Sequence, residues 1–406
     1  MHWHSIATRP RPWPSAWTWL ARCRQQAPAP APASSKPIVA AQAFVGLMSG
    51  TSLDGVDGVI AELDADGQWL GVRAHAHAPF DDALRSELLA LNQSGPDELH
   101  RAALASQTVS RVYAQVVQDL LKACPALKIQ ALGAHGQTVR HRPELGYTLQ
   151  LLAPALLAEL TQVDVVADLR SRDVAAGGQG APLVPVFHQA VFSQPDRTVA
   201  ALNLGGIANV SVLTPGRHPK GFDCGPANVL MDLWCQRHTG HAYDEDGHWA
   251  ATGQVREDWL AEALAEPYFS LPPPKSTGRD LFHAEWLNAW LQRCQAQHGA
   301  HADVQATLCE LTARSSADAI RQHAAQASEL IVCGGGAFNG HLMRRLQALL
   351  PGITVIRSDA RGLPPHQVEA AAFAWLAWAS INRRPGNDPA VTGSAGPRVL
   401  GAIYPA

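Results

Sequence analysis

Residues 44–60 read FVGLMSGTSLDGVDGVI: an apolar strand, a loop of glycine and hydroxyl residues carrying two aspartates, and a second apolar strand. The layout recurs about 150 residues later as AALNLGGIANVSVL, 200–213. One strand–small loop–strand unit repeated at that spacing points to two related domains, each opening on such a hairpin. A third glycine cluster, LIVCGGGAFNGHLMRRL at 330–346, follows a strand and opens a helix. The first loop lacks the Lys-Ser/Thr ending and the following helix of a P-loop. Two hairpin loops plus one strand–glycine–helix loop also differ from a Rossmann site. The set has the layout of a nucleotide clamp.

From Ala43 onward strand-like and helix-like segments alternate, which implies an α/β fold. Strands are expected at 43–48, 56–63, 129–134, 163–168, 199–204, 208–213, 329–333 and 353–357. Helices are expected at 97–123, 183–193, 226–238, 254–265, 303–325, 340–350 and 366–381. Segment 268–282, with three consecutive prolines, must be extended or looped. The chain of 406 residues allows two ordinary domains, and its net charge of −3 without a long basic run leaves no footprint for nucleic acid. No apolar run is long enough to span a bilayer. Seven cysteines without a CxxC pair read as reduced thiols of a cytoplasmic protein and give zinc no ligand spacing. The first 42 residues are rich in Pro, Ala and Trp without a period; they read as a disordered extension or an over-early start, and a poor secretory signal.

In the first loop, backbone N–H groups can converge on phosphate oxygens where glycine lets the chain approach. Gly46, Ser49, Gly50, Thr51, Ser52 and Gly55 are the candidates, and Asp54 is placed to hold Mg²⁺ through water. The competing reading is a solvent-facing hairpin turn, for which the same residues are ordinary. Gly205 and Gly206 offer a second cradle, with Asn209 and Ser211 as side-chain partners. Gly334, Gly335 and Gly336, with Asn339 closing the motif, suit an adenosine or ribose. Asp223, in GFDCGPANVLMD, is a candidate base; read locally, it is a helix N-cap aspartate. GAHGQTVRHRP gathers His135, Gln137, Thr138 and Arg140 at the end of a strand, where α/β proteins contact ligands. Arg170 suits a substrate carboxylate or a surface ion pair. Glu369, at a helix start, either complements the helix dipole or binds a hydroxyl. His75 and His77 share a strand face without a third ligand in register, so solvent-facing histidines are expected there, not a metal site.

Together these motifs resemble one family, the anhydro-N-acetylmuramic acid kinases. The matching pieces are GLMSGTSLDGVD, HGQTVRH, ADLRSRDVAAGGQGAPLVP, NLGGIANVS, FDCGPANVLMD, KSTGRDLF, CGGGAFN, VEAAAFAWLA and TGSAGPRVLGAIYP, in order from about residue 44 to 405. The resemblance implies a two-domain actin-like (ribonuclease H-like) sugar kinase fold with an ATP cleft. Domain I would span 43–165 and 366–406, and domain II 166–365. It implies ATP and Mg²⁺, Asp223 as the base that activates water, and His135, Gln137, Thr138, Arg170 and Glu369 around the sugar. The implied reaction opens 1,6-anhydro-N-acetylmuramic acid with water and phosphorylates O6, in a cytoplasmic homodimer serving peptidoglycan recycling. A plain sugar kinase and a non-catalytic actin-like ATPase module are the alternatives. The family's usual FDTGPGN reads FDCGPAN here, with Cys224 and Ala227 replacing Thr and Gly. The family offers no role for the 42-residue head.

Overall fold

The computed structural model describes residues 41–50, 52–278, 281–296 and 300–406. The Pro-rich head, except for its last two residues, and Thr51 lie outside the described residues. Thirteen strands are described: β1 Gln42–Met48, β2 Gly55–Leu63, β3 Trp69–Pro79, β4 Ile129–Ala134, β5 Gln137–Arg142, β6 Tyr147–Leu151, β7 Val165–Ala167, β8 Val199–Leu204, β9 Ile207–Leu213, β10 Lys220–Pro226, β11 Glu329–Cys333, β12 Thr354–Arg357 and β13 Ala402–Tyr404. The helices are α1 Asp82–Ala90, α2 Glu98–Ala123, α3 Pro154–Thr161, α4 Ser171–Ala175, α5 Val184–Phe192, α6 Asn228–Thr239, α7 Glu257–Leu264, α8 Ala284–Arg293, α9 His301–His323, α10 Gly340–Leu349, α11 Val368–Ile381 and α12 Pro389–Thr392.

The strands form two large sheets, ordered β13-β7-β4-β1-β2-β3 and β10-β9-β8-β11-β12, beside the β5–β6 hairpin. In the first sheet, β1, β2 and β3 form an antiparallel meander, and β4 and then β7 add in parallel. In the second, β8, β9 and β10 form the meander, and β11 and then β12 add in parallel. The same ribonuclease H-like unit therefore occurs twice, each time starting on one of the two hairpins noted in the sequence. Strand β13 closes the edge of the first sheet, antiparallel to β7. This is the duplicated two-domain α/β fold expected from the sequence.

Three apolar cores stack around the sheets. One packs α1–α3 behind the first sheet through residues such as Val45, Ile60 and Tyr113. A second packs α6–α10 behind the other sheet. The third lies between them and joins Phe44, Val59 and Ala131 of the first sheet to Val199, Ala201 and Ile331 of the second through α5 and α11. Covered on several sides, α11 reads VEAAAFAWLAWASI and is apolar nearly all round, as a buried helix must be. Its small side chains let its backbone lie directly on two strand glycines. A Cβ at Gly46 would come within 1.8 Å of Ala370 O, and one at Gly133 within 1.9 Å of Phe373 O. That contact sets α11, and with it Glu369 near its start, against the sheet.

Candidate active site

Strand register assembles the first part of the site. Asp223 pairs with Asn209, Asn209 with Asn203, and Asn203 with Cys333, so the four side chains form one row across the second sheet. Alternation puts this row on the face turned toward α11, because Ala201 and Ile331 on the same face belong to the middle core. Asn203 is buried, takes the Cys333 thiol on Oδ1 at 3.8 Å, and hydrogen-bonds the Glu369 carboxyl with its side chain. Gly334 turns beside it with φ +79°, where a Cβ would meet Asn203 Oδ1 at 2.5 Å. Asn203 thus couples the hairpin of the second sheet to α11, a connection that only the cross-strand register exposes.

From Glu369 the polar path continues into the first sheet. Burial pushes the Glu369 pKa up, and the field of Arg170 opposes that shift without a direct ion pair. Burial also pulls Arg170 down to about 10, against the fields of Glu369 and Asp173. Its Nε donates to His135 Nε2 at 3.0 Å and its Nη1 to Gly180 O at 2.7 Å. An arginine can only donate, so His135 Nε2 is the acceptor and Nδ1–H donates to Ser49 O at 3.2 Å. Burial and then the Arg170 charge keep this histidine neutral, far below its usual pKa. Gln137 Nε2 donates to Gly50 O at 3.2 Å, while its Oε1 is buried with no partner. Thr138 is half-buried and accepts from Gln150 at 3.2 Å. Arg140 turns away to Glu98 at 2.6 Å.

The loop that carries Arg170 is locked from behind. Asp173, fully buried, accepts Gly180 N at 2.7 Å, Thr392 Oγ1 at 2.7 Å and Asn387 Nδ2 at 2.5 Å. Two separated motifs, GGQGAP and the C-terminal TGSAG stretch, are thereby tied together by an aspartate that resembles any loop residue in the sequence.

Asp223 is not a helix cap. It lies in β10 with a bulge before Gly225, and α6 begins only at Asn228 with no side-chain cap. The N–H groups of Ala227, Asn228 and Val229 are taken by the carbonyls of Gly205 and Gly206 at 3.0–3.2 Å, so the second hairpin loop replaces the cap. Asp223 Oδ2 accepts Thr277 N at 3.0 Å. Burial raises the carboxyl to about 7, opposed by that hydrogen bond and by the charge of Lys275. Cys224, the departure beside it, points into the core behind the sheet, on the opposite face of the strand from the carboxylate. The Thr-to-Cys difference therefore leaves the Asp223 face unaltered.

Several expected ligand residues are spent on the frame. Gly46 seats α11, and Gly55 admits β3, since a Cβ there would meet Ala78 O at 2.3 Å. The Ser49 hydroxyl is buried between Tyr113 OH at 2.8 Å and Gly136 O at 3.1 Å. Asn339 Oδ1 caps α10 by accepting Leu342 N at 2.9 Å, and Gly335 opens a 3₁₀ turn that precedes that helix. Ser211 is buried against His188 at 2.9 Å. His75 and His77 do not simply face solvent: both reach Asp57 Oδ1, at 3.1 and 3.2 Å. Ser52 and Asp54 remain exposed, with the Ser52 hydroxyl donating to the Asp54 carboxylate at 2.8 Å. Gly50, Gly205, Gly206, Asn209 and Gly335 are left at least partly open.

The candidate site thus brings together a half-buried acid near neutrality, glycine turns from both sheets, and the Arg170 guanidinium beside the neutral His135. The family model described as anhydro-N-acetylmuramic acid kinase matches residues 42–406. The chain belongs to that family. It is 61% identical over 366 residues to the anhydro-N-acetylmuramic acid kinase of Bordetella petrii, covering 89% of this chain and 96% of that protein. It is 58% identical over 379 residues to the namesake from Variovorax paradoxus, covering 91% and 100%. Among solved structures, the activator of 2-hydroxyisocaproyl-CoA dehydratase from Clostridium difficile with bound ADPNP superposes with a TM-score of 0.44 at 13% identity, covering 84% of this chain and 96% of that one. That likeness is too weak to bear on the site. Among the described residues no group of three or more His, Cys, Asp or Glu is placed to hold a metal, and no helix is long and apolar enough to cross a membrane.

Proposed function

We propose that the chain transfers the γ-phosphoryl group of ATP to O6 of 1,6-anhydro-N-acetylmuramic acid while water opens the anhydro bridge, releasing N-acetylmuramic acid 6-phosphate and ADP. The observation that carries this reading is the half-buried Asp223 carboxylate, with its pKa raised by burial to about 7, in register with Asn209 and Asn203 and leading to Glu369 and Arg170. A carboxylate tuned to about 7 takes a proton from water efficiently at neutral pH. Water then attacks the anomeric carbon, the C1–O6 bond breaks, and O6 accepts the phosphoryl group. The departing oxygen needs no second carboxylic acid, unlike ordinary glycoside hydrolysis.

The remaining side chains orient. Arg170, pinned by His135 and Gly180, keeps Nη2 for the lactyl carboxylate. Gln137 Oε1, a buried acceptor with no partner, suits a donor of the sugar, as does Glu369; Thr138 and His135 complete the wall. Phosphates would rest on Gly50, Ser52, Gly205, Gly206 and Asn209, with adenosine against Gly334, Gly335 and Gly336. At these glycines the bare backbone permits close approach. An all-protein Mg²⁺ cage is absent among the described residues, but exposed Asp54 fits an ion bound through water and phosphates. When bound, that ion would neutralise developing charge on the transferred group. Domains divided along the two sheets, near 43–165 with 366–406 and 166–365, would close to exclude water. We further place the enzyme in the cytoplasm, as a homodimer. Six described cysteines are free thiols, which suits a reducing compartment.

The test is turnover of 1,6-anhydro-N-acetylmuramic acid with Mg·ATP in ¹⁸O-water, sampled early beside a ring-opened sugar control. Label at the anomeric hydroxyl of a 6-phosphorylated product supports ring opening. An unlabelled phosphosugar, or none, sinks it and leaves a plain sugar kinase or an ATPase module respectively.

A further inference from the structure

The stretch PPPKSTG, 272–278, takes no role in the proposed reaction, yet its Lys275 and Thr277 hydrogen-bond with Asp223. Two hydrogen bonds tie it to β10: Asp223 N donates to Lys275 O at 3.2 Å, and Thr277 N donates to Asp223 Oδ2 at 3.0 Å. Its near end is anchored to the same residue, because the Tyr268 hydroxyl donates to Asp223 O at 2.8 Å. Lys275 folds back on this anchor. Its Nζ donates to the carbonyls of Tyr268 and Phe269 at 3.3 and 3.2 Å and sits 4.7 Å over the Tyr268 ring. Phe269 in turn occupies the space a side chain would need at Gly225, where a Cβ would lie 2.6 Å from its ring. The glycine at 225, with φ +147°, is therefore required by the approach of this segment as well as by its own backbone. Three consecutive prolines cannot donate to a helix or a ladder, so the run stays a strap.

We propose that residues 268–278 position the Asp223 carboxylate for catalysis: the Thr277 N–H holds Oδ2, the Lys275 ammonium supplies the adjacent positive charge, and Oδ1 is left to take the proton from water. The inference rests on reading Asp223 as the base. Lys275 and Thr277 do not touch the reacting atoms; they act through Asp223. Among the described residues the ionisable neighbours on this side are few. Lys275 comes from the strap, Cys224 and Lys220 from β10, and His323 from the end of α9, its ring 4.9 Å from Phe222. At the far end of the strand α12 brings Asp388, paired with His218 at 2.8 Å. Of these, Lys275 is the cation whose field reaches Asp223.

The test is the pH dependence of kcat/KM for phosphorylation of the anhydro sugar in Lys275→Met, Lys275→Arg and Thr277→Pro, beside Asp223→Asn. Removing the positive charge raises the pKa of the base, so Lys275→Met moves the acid limb upward by about one pH unit. Activity recovers toward the plateau at high pH, and Lys275→Arg restores the wild-type limb. Thr277→Pro, which lacks the donor, lowers kcat about tenfold or more while the KM for ATP stays constant. A merely structural strap would depress all pH values equally, and an unmoved limb in Lys275→Met overturns the proposal. If Asp223→Asn is inactive while the Lys275→Met limb is unmoved, the strap fails and the base survives. If Asp223→Asn keeps turnover, both fall.

Discussion

Apart from the edge strand β13, the two sheets have the same strand order and carry different chemistry on corresponding rows. In the second, Asp223, Asn209 and Asn203 align across β10, β9 and β8. In the first, the equivalent row across β3, β2 and β1 is His77, Asp57 and Met48. Asp57 is shared by two histidines, which both meet its Oδ1, at 3.1 and 3.2 Å. Asp223 is half-buried and receives one backbone donor, and burial raises its carboxyl to about 7. Topology is duplicated, and function diverges through the immediate partners of one strand position.

Asp223→Asn breaks this contrast most severely. It lowers kcat about a thousandfold while the affinity for an ATP analogue is kept, measured by phosphosugar formation and calorimetric binding. The wild-type acid limb of kcat/KM falls near pH 7, because the base must be ionised. Stability moves the other way. The folded pKa lies above the unfolded one, so burying the ionised carboxylate costs stability above about pH 7, and the cost is relieved as pH falls toward 3.8. Asp223→Asn accordingly melts at least about 2 °C higher than wild type at pH 8; an unchanged Tm contradicts the proposed burial.

The glycines of the two hairpins separate next. Gly46→Val forces a side chain into the backbone of α11 and costs about 3 kcal/mol or more in urea unfolding. Gly205→Ala meets nothing nearer than 3.9 Å, so its stability changes by no more than about 0.5 kcal/mol while nucleotide binding weakens. Equal stability losses would erase the distinction between a packing glycine and a cradle glycine. Arg170→Lys comes third: a lysine cannot reach His135 and Gly180 as a fork, so the KM for the sugar rises about tenfold with a smaller change in kcat.

Most of the fold was legible because apolar runs mark it. The strands at 129–134, 199–204 and 329–333 fall where periodicity puts them, and the helix expected over 366–381 begins at Val368. Strand β10 was hidden because Gly, Asp, Pro and Asn in GFDCGPAN are turn residues, and a bulged edge strand uses the same chemistry. β3 was glimpsed only at His75 and His77, its extent masked by alternating Ala and His, and β5–β6 was hidden by polar composition. In the candidate site, Asp223, Arg170, His135 and Glu369 were singled out by residue type and motif. Asn203 and Asp173 were not, since their roles come from partners far away in the chain: Glu369 for the one, Thr392 and Asn387 for the other.

The inner face of the second sheet offers a last and smaller test, at His188. Its Nδ1 meets Ser211 Oγ at 2.9 Å, and its Nε2 is buried with no partner. A second ring proton would have no acceptor, and burial lowers the pKa from 6.5 to about 3. Between those values the unfolded chain binds a proton that the folded one refuses. The stabilising contribution is therefore complete above 6.5 and is lost as pH falls from there toward about 3. Between about pH 7.5 and 5.5 that loss amounts to roughly 1.4 kcal/mol for one such group. Urea midpoints at the two pH values, compared for wild type and His188→Gln, isolate it. The wild type loses more stability than the variant by about that amount, whereas parallel losses would mean that His188 does take up a proton in the folded protein.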